Sequence, residues 1–254
     1  MPCFHRMESL CRDSILIHIP HSGTDFPSEF RDSYTVPLLE NDIDLCTDWD
    51  SEKLFRTEYP TLCPSLSKCY IDYSCIYPPE IALSLGRGPL YTHNSDGMPF
   101  RYISDQEKTY LLNEFESYHR RLSELIARKC EMYGICLLIH CHCFNNSLLP
   151  FEKNFISERI RPDICIGTDP YHTPGWLSEL ICGEYEKNGF SAELNYPYSH
   201  ASVPANFHGK DMRLLTVSVM INKRLYIENN EFPDMTKIDL LNGIFKNILY
   251  ALFS

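Results

Sequence analysis

The stretch ICLLIHCHCF, residues 135–144, decides the fold class. Its short apolar run follows a glycine and ends in alternating histidines and cysteines, which is typical of a buried strand with a polar end. Side chains two residues apart share one face of a strand. We therefore predict that His140 and His142 face one way and that Cys141 and Cys143 face the other. These four side chains cannot all bind one metal ion.

Strands and helices alternate outward from this stretch. The other predicted strands are SILIHIP (14–20), KCYIDYSC (68–75), RPDICIGTD (161–169), SAELNYPYS (191–199) and MRLLTVSVMIN (212–222). The predicted helices, which have helical apolar spacing or end signals, cover residues 42–57, 104–134, 174–189 and 234–253. This alternation predicts a single α/β domain over residues 1–254, with a mixed, mostly parallel central sheet and helices on both faces.

Composition limits the possible partners. The chain has 254 residues and a formal net charge of -11, which argues against nucleic acid as a partner because phosphate binding needs a basic surface. No apolar run approaches the length of a membrane-spanning helix. The N-terminus lacks the pattern of a signal peptide, so we expect a cytoplasmic protein whose twelve cysteines are reduced. The sequence does not indicate an oligomeric state.

Two histidines and a carboxylate suggest a metal site. His21 follows one predicted strand, His142 lies at the end of another, and Asp48 and Glu52 are four residues apart in a predicted helix. Two histidines, one carboxylate and a water molecule form a common catalytic zinc site. Such a site suits amide hydrolysis, because zinc polarises a carbonyl and lowers the pKa of water.

Simpler interpretations of these residues remain open. Ten histidines in one chain produce accidental pairings, and Asp48 and Glu52 could only complement a helix dipole. Cys141 or Cys143 could instead be a nucleophile or a redox centre. If both cysteines face away from His140 and His142, however, those histidines cannot readily activate them.

The order of motifs resembles that of the N-formylglutamate amidohydrolase family. The matching segments are IPHSGTDFP, TDWDSEKLF, CYIDYS, DGMPFR, YHRRLSELI, LLIHCHCF, PDICIGT, NYPYS and VMINKRLY. They extend from about residue 14 to residue 226 in the order that the family shows. Each motif by itself is a weak indication of the family, but the occurrence of all of them in the same order is a specific one.

The resemblance implies a fold akin to that of zinc carboxypeptidases. It also implies a divalent metal, most simply Zn²⁺, and hydrolysis of a small N-acyl amino acid such as N-formyl-L-glutamate to glutamate and formate. His21 and His142 would be metal ligands, with Glu52 or Asp48 as the third; Glu52 is the preferred choice. Arg101 would suit a substrate carboxylate.

Further residues are assigned by the same resemblance. We place His140 and Asp72 in the catalytic machinery. Ser22, Arg213 and His200 join Arg101 as candidates for substrate binding. His140 stands where the family has an aspartate that could orient a metal-bound histidine, and a histidine is a poorer partner for that task.

The most serious departure is Met220, which stands where the family has a glutamate suited to act as general base. Methionine cannot take or give a proton, and general acid–base assistance is worth about 10²–10⁴ in rate. Glu193, His200 and His208 are possible substitutes. The sequence thus leaves two readings: a diverged amidohydrolase with relocated proton-transfer groups, or a catalytically degenerate relative that binds a metal or small ligand without turnover.

Overall fold

Six strands form one sheet at the centre of the protein. In chain order they are β1 Ile15–His18, β2 Thr61–Leu62, β3 Cys136–Phe144, β4 Ile164–Gly167, β5 Ala192–Leu194 and β6 Leu214–Asn222. The sheet order is β2-β1-β3-β6-β4-β5. The structure is a computed structural model that describes residues 10–74, 86–154, 159–227 and 232–253.

Most neighbouring strands are parallel. β2, β1, β3 and β6 run in the same direction, while β4 is antiparallel to β6 and parallel to β5. This mixed, mostly parallel sheet confirms the predicted fold class. Because the carboxyl ends of β1, β3 and β6 meet at one edge, the residues that follow these strands come together there.

The α-helices within the described residues are α1 Val36–Cys46, α2 Ser51–Leu54, α3 Asp105–Tyr133, α4 Gly175–Lys187 and α5 Met235–Ala251. Helix α3 packs on one face of the sheet, and α4 and α5 pack on the other. The limits of α3 follow its end signals: the Ser104 side chain accepts a hydrogen bond from the Glu107 backbone N–H, and Gly134 ends the helix with a φ of +76°. A side-chain acceptor before the first turn and a left-handed glycine after the last are common helix ends.

The alternation within β3 separates two cores. Cys141 and Cys143 lie in the larger core, where α4 and α5 pack on the sheet through residues such as Tyr185 and Phe245. The even-numbered residue Leu138 lies in the second core, on the α3 side. The predicted division of histidines and cysteines between the two faces is therefore confirmed, because His140 and His142 share the face of Leu138.

Two predicted elements differ from the structure. Residues 42–57 do not form one helix: α1 ends at Cys46, and Asp50 has a φ of +58° before α2 begins. The Asp48 backbone N–H donates to the His21 carbonyl oxygen at 2.9 Å, so this segment turns towards β1. Residues 68–74 form turns and irregular chain rather than a strand, and Cys75 lies outside the described residues. Their apolar alternation reflects burial in a compact loop, since β-propensity mainly measures such packing.

The cysteines and the helices bear on two predictions from the sequence, reduced thiols and the lack of a membrane-spanning segment. The ten cysteines within the described ranges are free thiols. In the same ranges, every helix is too short or too polar to cross a membrane.

Candidate metal centre

Two buried side chains and one partly buried side chain meet at the carboxyl edge of the sheet. His21 follows β1, Asp48 lies between α1 and α2, and His142 lies near the end of β3. Asp48 Oδ2 is 3.5 Å from His21 Nδ1 and 3.4 Å from His142 Nδ1. The two Nδ1 atoms are 3.2 Å apart. We call these three residues the metal-site cluster.

The spacing of the cluster fits a tetrahedral metal ion. Ligand atoms that are about 2.0–2.1 Å from zinc lie about 3.3–3.4 Å from one another in a tetrahedron. The three donor atoms of the cluster are 3.2, 3.4 and 3.5 Å apart. In addition, Asp48 Oδ2 is buried and accepts no hydrogen bond from the residues that the structure describes, and such an atom is costly unless something binds it. The residues present therefore fit a divalent cation.

The electrostatics also favour a cation. Burial raises the pKa of Asp48, but the His142 and His21 rings outweigh it and hold the pKa well below its usual range. Burial is the main cause of a lowered pKa at His142. At His21, burial and Lys68 lower the pKa, but Asp72 and Asp48 outweigh them and raise it. The Asp48 carboxylate and the neutral His142 ring are protonation states that bind a metal, and a metal ion at His21 would displace the proton that the two carboxylates favour.

Asp72 fixes the orientation of His21. Its Oδ1 atom is 2.9 Å from His21 Nε2, and it also accepts hydrogen bonds from the Ser74 backbone N–H at 2.9 Å and the Ser74 hydroxyl at 2.6 Å. The Tyr91 hydroxyl donates to the other carboxylate oxygen at 2.8 Å. With its Nε2 proton directed at Asp72, His21 turns the Nδ1 lone pair into the cluster, as metal-binding histidines commonly do.

The structure brings Asp48, rather than Glu52, to the two histidines. The break between α1 and α2 places the two carboxylates on separate segments. Glu52 Oε1 instead accepts a hydrogen bond from the Ser22 hydroxyl at 2.9 Å, and Cys63 Sγ is 3.5 Å away. The substrate-binding candidate Ser22 is thus next to His21 in sequence and is bonded to Glu52.

Two arginines assigned to substrate binding lie elsewhere. Arg101 is 6% exposed and donates to the Tyr70 carbonyl at 2.8 Å and to Glu107 at 2.6 Å. A guanidinium engaged in this way joins segments of the fold and has little capacity left for a substrate. Arg213 precedes β6 and bonds Asp211. Its carbonyl accepts from the backbone N–H of Cys136, at the start of β3, so it lies at the other edge of the sheet.

The position of the missing glutamate lies beside the cluster. Met220 on β6 is directly opposite His142 on β3, and paired residues of neighbouring strands project from the same face. Met220 packs with Phe144, Cys165 and Tyr198. This wall of the site is therefore apolar.

The possible substitutes for that glutamate make other contacts. Glu193 pairs with Arg159 at 2.7 Å, and the exposed His208 is 3.6 Å from Asp169. The exposed His200 ring contacts the Ser199 hydroxyl at 2.6 Å. None of these contacts joins a substitute to the metal-site cluster.

His140 and the cysteines of β3 are sealed from solvent. The His140 side chain is 0% exposed and contacts His18 and the Ser202 carbonyl, so a substrate cannot reach it in this structure. Burial raises the pKa of the Cys141 and Cys143 thiols. Raised thiol pKa values and placement on the opposite face both disfavour the cysteine-nucleophile interpretation.

A second group of donor atoms lies nearby, formed by Asp42, Cys46 and Cys69. Arg87 already occupies it: the guanidinium donates to Asp42 Oδ2 at 3.2 Å and to Cys46 Sγ at 3.3 Å. Its positive charge replaces the one that a metal would bring, so this group is not a second metal centre.

Sequence reasoning missed Lys68, Ser74 and Tyr91, which surround Asp72 and His21. No ligand spacing marks them, because they reach the site from a loop and from a segment far along the chain. One sequence feature did point to this loop: the IDYS segment keeps the aspartate of the family motif as Asp72, two residues before Ser74.

The chain is similar to known proteins over most of its length. A model of the family described as N-formylglutamate amidohydrolase matches residues 13–227. The crystal structure of N-formylglutamate amidohydrolase from Ralstonia eutropha JMP134 has a TM-score of 0.78 at 20% identity, with 94% of each chain covered. The gene product Atu2144 from Agrobacterium tumefaciens has a TM-score of 0.58 at 14% identity, covering 97% of this chain and 94% of the other. No curated protein matches the sequence.

Proposed function

The chain belongs to the N-formylglutamate amidohydrolase family, and from this membership and the metal-site cluster we propose that it is a metal-dependent amidohydrolase. Its substrate is a small N-acyl amino acid of the N-formylglutamate type. One water molecule and the amide are converted to a carboxylate and an amine. The observation that carries the proposal is the spacing of His21, Asp48 and His142 around an Asp48 oxygen that accepts no hydrogen bond within the described part of the chain.

The residues of the chain have distinct tasks in this proposal. His21, Asp48 and His142 would hold the ion, which when bound supplies polarisation of the carbonyl and a lowered pKa of water. Asp72 holds His21 in the required orientation and tautomer through the contact at 2.9 Å. The apolar side chain of Met220 beside His142 excludes water from one wall of the site.

Metal-dependent turnover tests the proposal. Purified protein should contain about one equivalent of zinc or another divalent ion, measured by elemental analysis. It should release acid and amine from members of a panel of N-formyl and N-acyl amino acids. Dialysis against a chelator should abolish turnover, and added zinc should restore it. Protein that neither binds a divalent ion nor hydrolyses any member of the panel would contradict the proposal.

The degenerate alternative rests on Met220 and on His140, which stand where the family has a glutamate and an aspartate. It predicts that ligands raise the melting temperature without turnover. The cluster and the Asp72 contact retain the groups that would hold and orient a metal ion, so we prefer the hydrolase.

A further inference from the structure

A lysine is directed at the metal-site cluster. Lys68 Nζ lies 3.5 Å from His21 Nδ1, the ring nitrogen that faces Asp48 and His142. It is also 3.9 Å from Asp72 Oδ2. The ammonium therefore lies on the side of His21 where a metal would bind, beside the buried Asp72 carboxylate.

This position makes Lys68 a competitor of the metal. Its N–H groups face the same His21 lone pair that a metal ion would take. A second positive charge a few ångströms away also repels a divalent cation, and such repulsion is weakly screened at a buried site. Lys68 consequently weakens metal binding. Its position beside the ligands therefore indicates a function other than holding the metal.

Lys68 is also the more open part of the site. Its side chain is 22% exposed, whereas those of His21, Asp48 and His142 are 6%, 4% and 14% exposed. Lys68 is therefore the most exposed of these four side chains. Arg101, which the resemblance assigned to a substrate carboxylate, is held by Tyr70 and Glu107.

We propose that Lys68 is a catalytic residue whose ammonium binds the carbonyl oxygen of the scissile amide as negative charge develops on it. The inference rests on the proposed function. When the oxygen of water adds to the carbonyl carbon, the π-electron pair moves onto the carbonyl oxygen, and Lys68 donates hydrogen bonds to it. The pair then re-forms the C=O bond as the C–N bond breaks, and the departing nitrogen takes a proton from the attacking water.

The proposal requires opposite effects on binding and on turnover. Lys68→Met keeps the length of the side chain and removes its charge. We expect zinc affinity, measured by competition with a chelator, to rise about tenfold or more. We expect kcat to fall about 10²–10³-fold, the usual cost of one lost oxyanion donor. Lys68→Arg should recover part of kcat, and Lys187→Met, on the exposed part of α4, should change neither quantity.

The outcomes separate this proposal from the proposed function. If wild-type protein shows no metal-dependent turnover, the proposed function and the oxyanion role both fail. If wild-type protein is active and Lys68→Met is equally active, or binds zinc no more tightly, only the role of Lys68 is overturned. A variant that loses zinc affinity and activity together would show that Lys68 merely supports the fold of the site.

Discussion

His18 and His140 form a direct hydrogen bond in the protein interior, with their Nδ1 atoms 2.8 Å apart. The tautomers follow from their other partners. The Ser202 carbonyl, 2.7 Å from His140 Nε2, can only accept, so Nε2 carries the proton and His140 Nδ1 accepts. His18 Nδ1 must then donate, which leaves His18 Nε2 to accept from the Tyr118 hydroxyl at 2.7 Å.

This chain of contacts accounts for the histidine at position 140, where the family resemblance led us to expect an aspartate. His140 is satisfied by His18 and by a backbone carbonyl, so it needs no charge. Burial is the main cause that lowers the pKa of His140 to about 3, and burial also lowers that of His18. Both rings are therefore neutral in the folded protein near pH 7.

The neutral pair predicts acid sensitivity of the metal-free protein. Because the pKa of His140 is about 3 when folded and about 6.5 when unfolded, the unfolded state binds more protons between these values. Stability is complete above about pH 6.5 and falls as the pH is lowered towards 3. We expect His140 alone to cost about 1–2 kcal/mol in the free energy of unfolding between pH 6.5 and 5, measured by urea denaturation.

A double variant isolates this effect. His18→Phe with His140→Leu removes both rings together, so neither ring is left with an Nδ1 atom that has lost its partner. The loss of stability between pH 6.5 and 5 should shrink by about 1–2 kcal/mol. His208→Gln, which removes a histidine whose side chain is 59% exposed, is the control. An unchanged pH dependence in the double variant would contradict the assignment of neutral rings.

Local patterns predicted the sheet and the long helices well, because burial periodicity and end signals act over neighbouring residues. The alternation in β3 correctly separated His142 from Cys141 and Cys143. The signals of Ser104 and Gly134 likewise marked the ends of α3.

Patterns failed where tertiary contacts override local preference. Helical spacing joined Asp48 and Glu52 on one face, whereas the hydrogen bond from Asp48 to the His21 backbone breaks that helix. The DGMPFR motif predicted that Arg101 binds the substrate. Its partner is instead Glu107 of α3, and the sequence does not show that this helix packs against Arg101. Lys68 and Tyr91 lie in irregular segments. Such segments lack the hydrophobic periodicity of helices and strands, so the sequence does not predict that these side chains reach the site.

Substitutions of Asp48 and Glu52 should affect metal binding differently. Loss of a residue that only orients a ligand costs about 10–100-fold in metal affinity, so Asp48→Asn, which alters a donor, should cost at least about 100-fold. Glu52→Gln should retain zinc, because Glu52 bonds Ser22 outside the cluster. Elemental analysis and chelator competition measure both. Loss of zinc in Glu52→Gln, with retention in Asp48→Asn, would reverse the ligand assignment.

Asp72 should act through His21. Asp72→Asn keeps the shape of the side chain but removes the charge that stabilises the Nε2 proton of His21. We expect zinc affinity to fall about 10–100-fold without loss of the folded state, monitored by circular dichroism. Tyr91→Phe removes one hydrogen bond to the same carboxylate and should have a smaller effect in the same direction. Equal zinc affinity in Asp72→Asn and wild-type protein would rule out the orienting role.

Substitution of Met220 tests whether the site lacks a general base or uses one from another part of the chain. Its position opposite His142 means that Met220→Glu places a carboxylate beside the metal-site cluster. If the wild-type enzyme lacks a general base, kcat should rise by about 10² or more, while Met220→Gln, which cannot act as a base, should show no gain. Because Met220 is 6% exposed and packs with Phe144 and Tyr198, both variants should lose about 1–3 kcal/mol in the free energy of unfolding. Equal kcat in Met220→Glu and wild-type protein, at equal zinc content, would mean that a base from another part of the chain already serves the reaction.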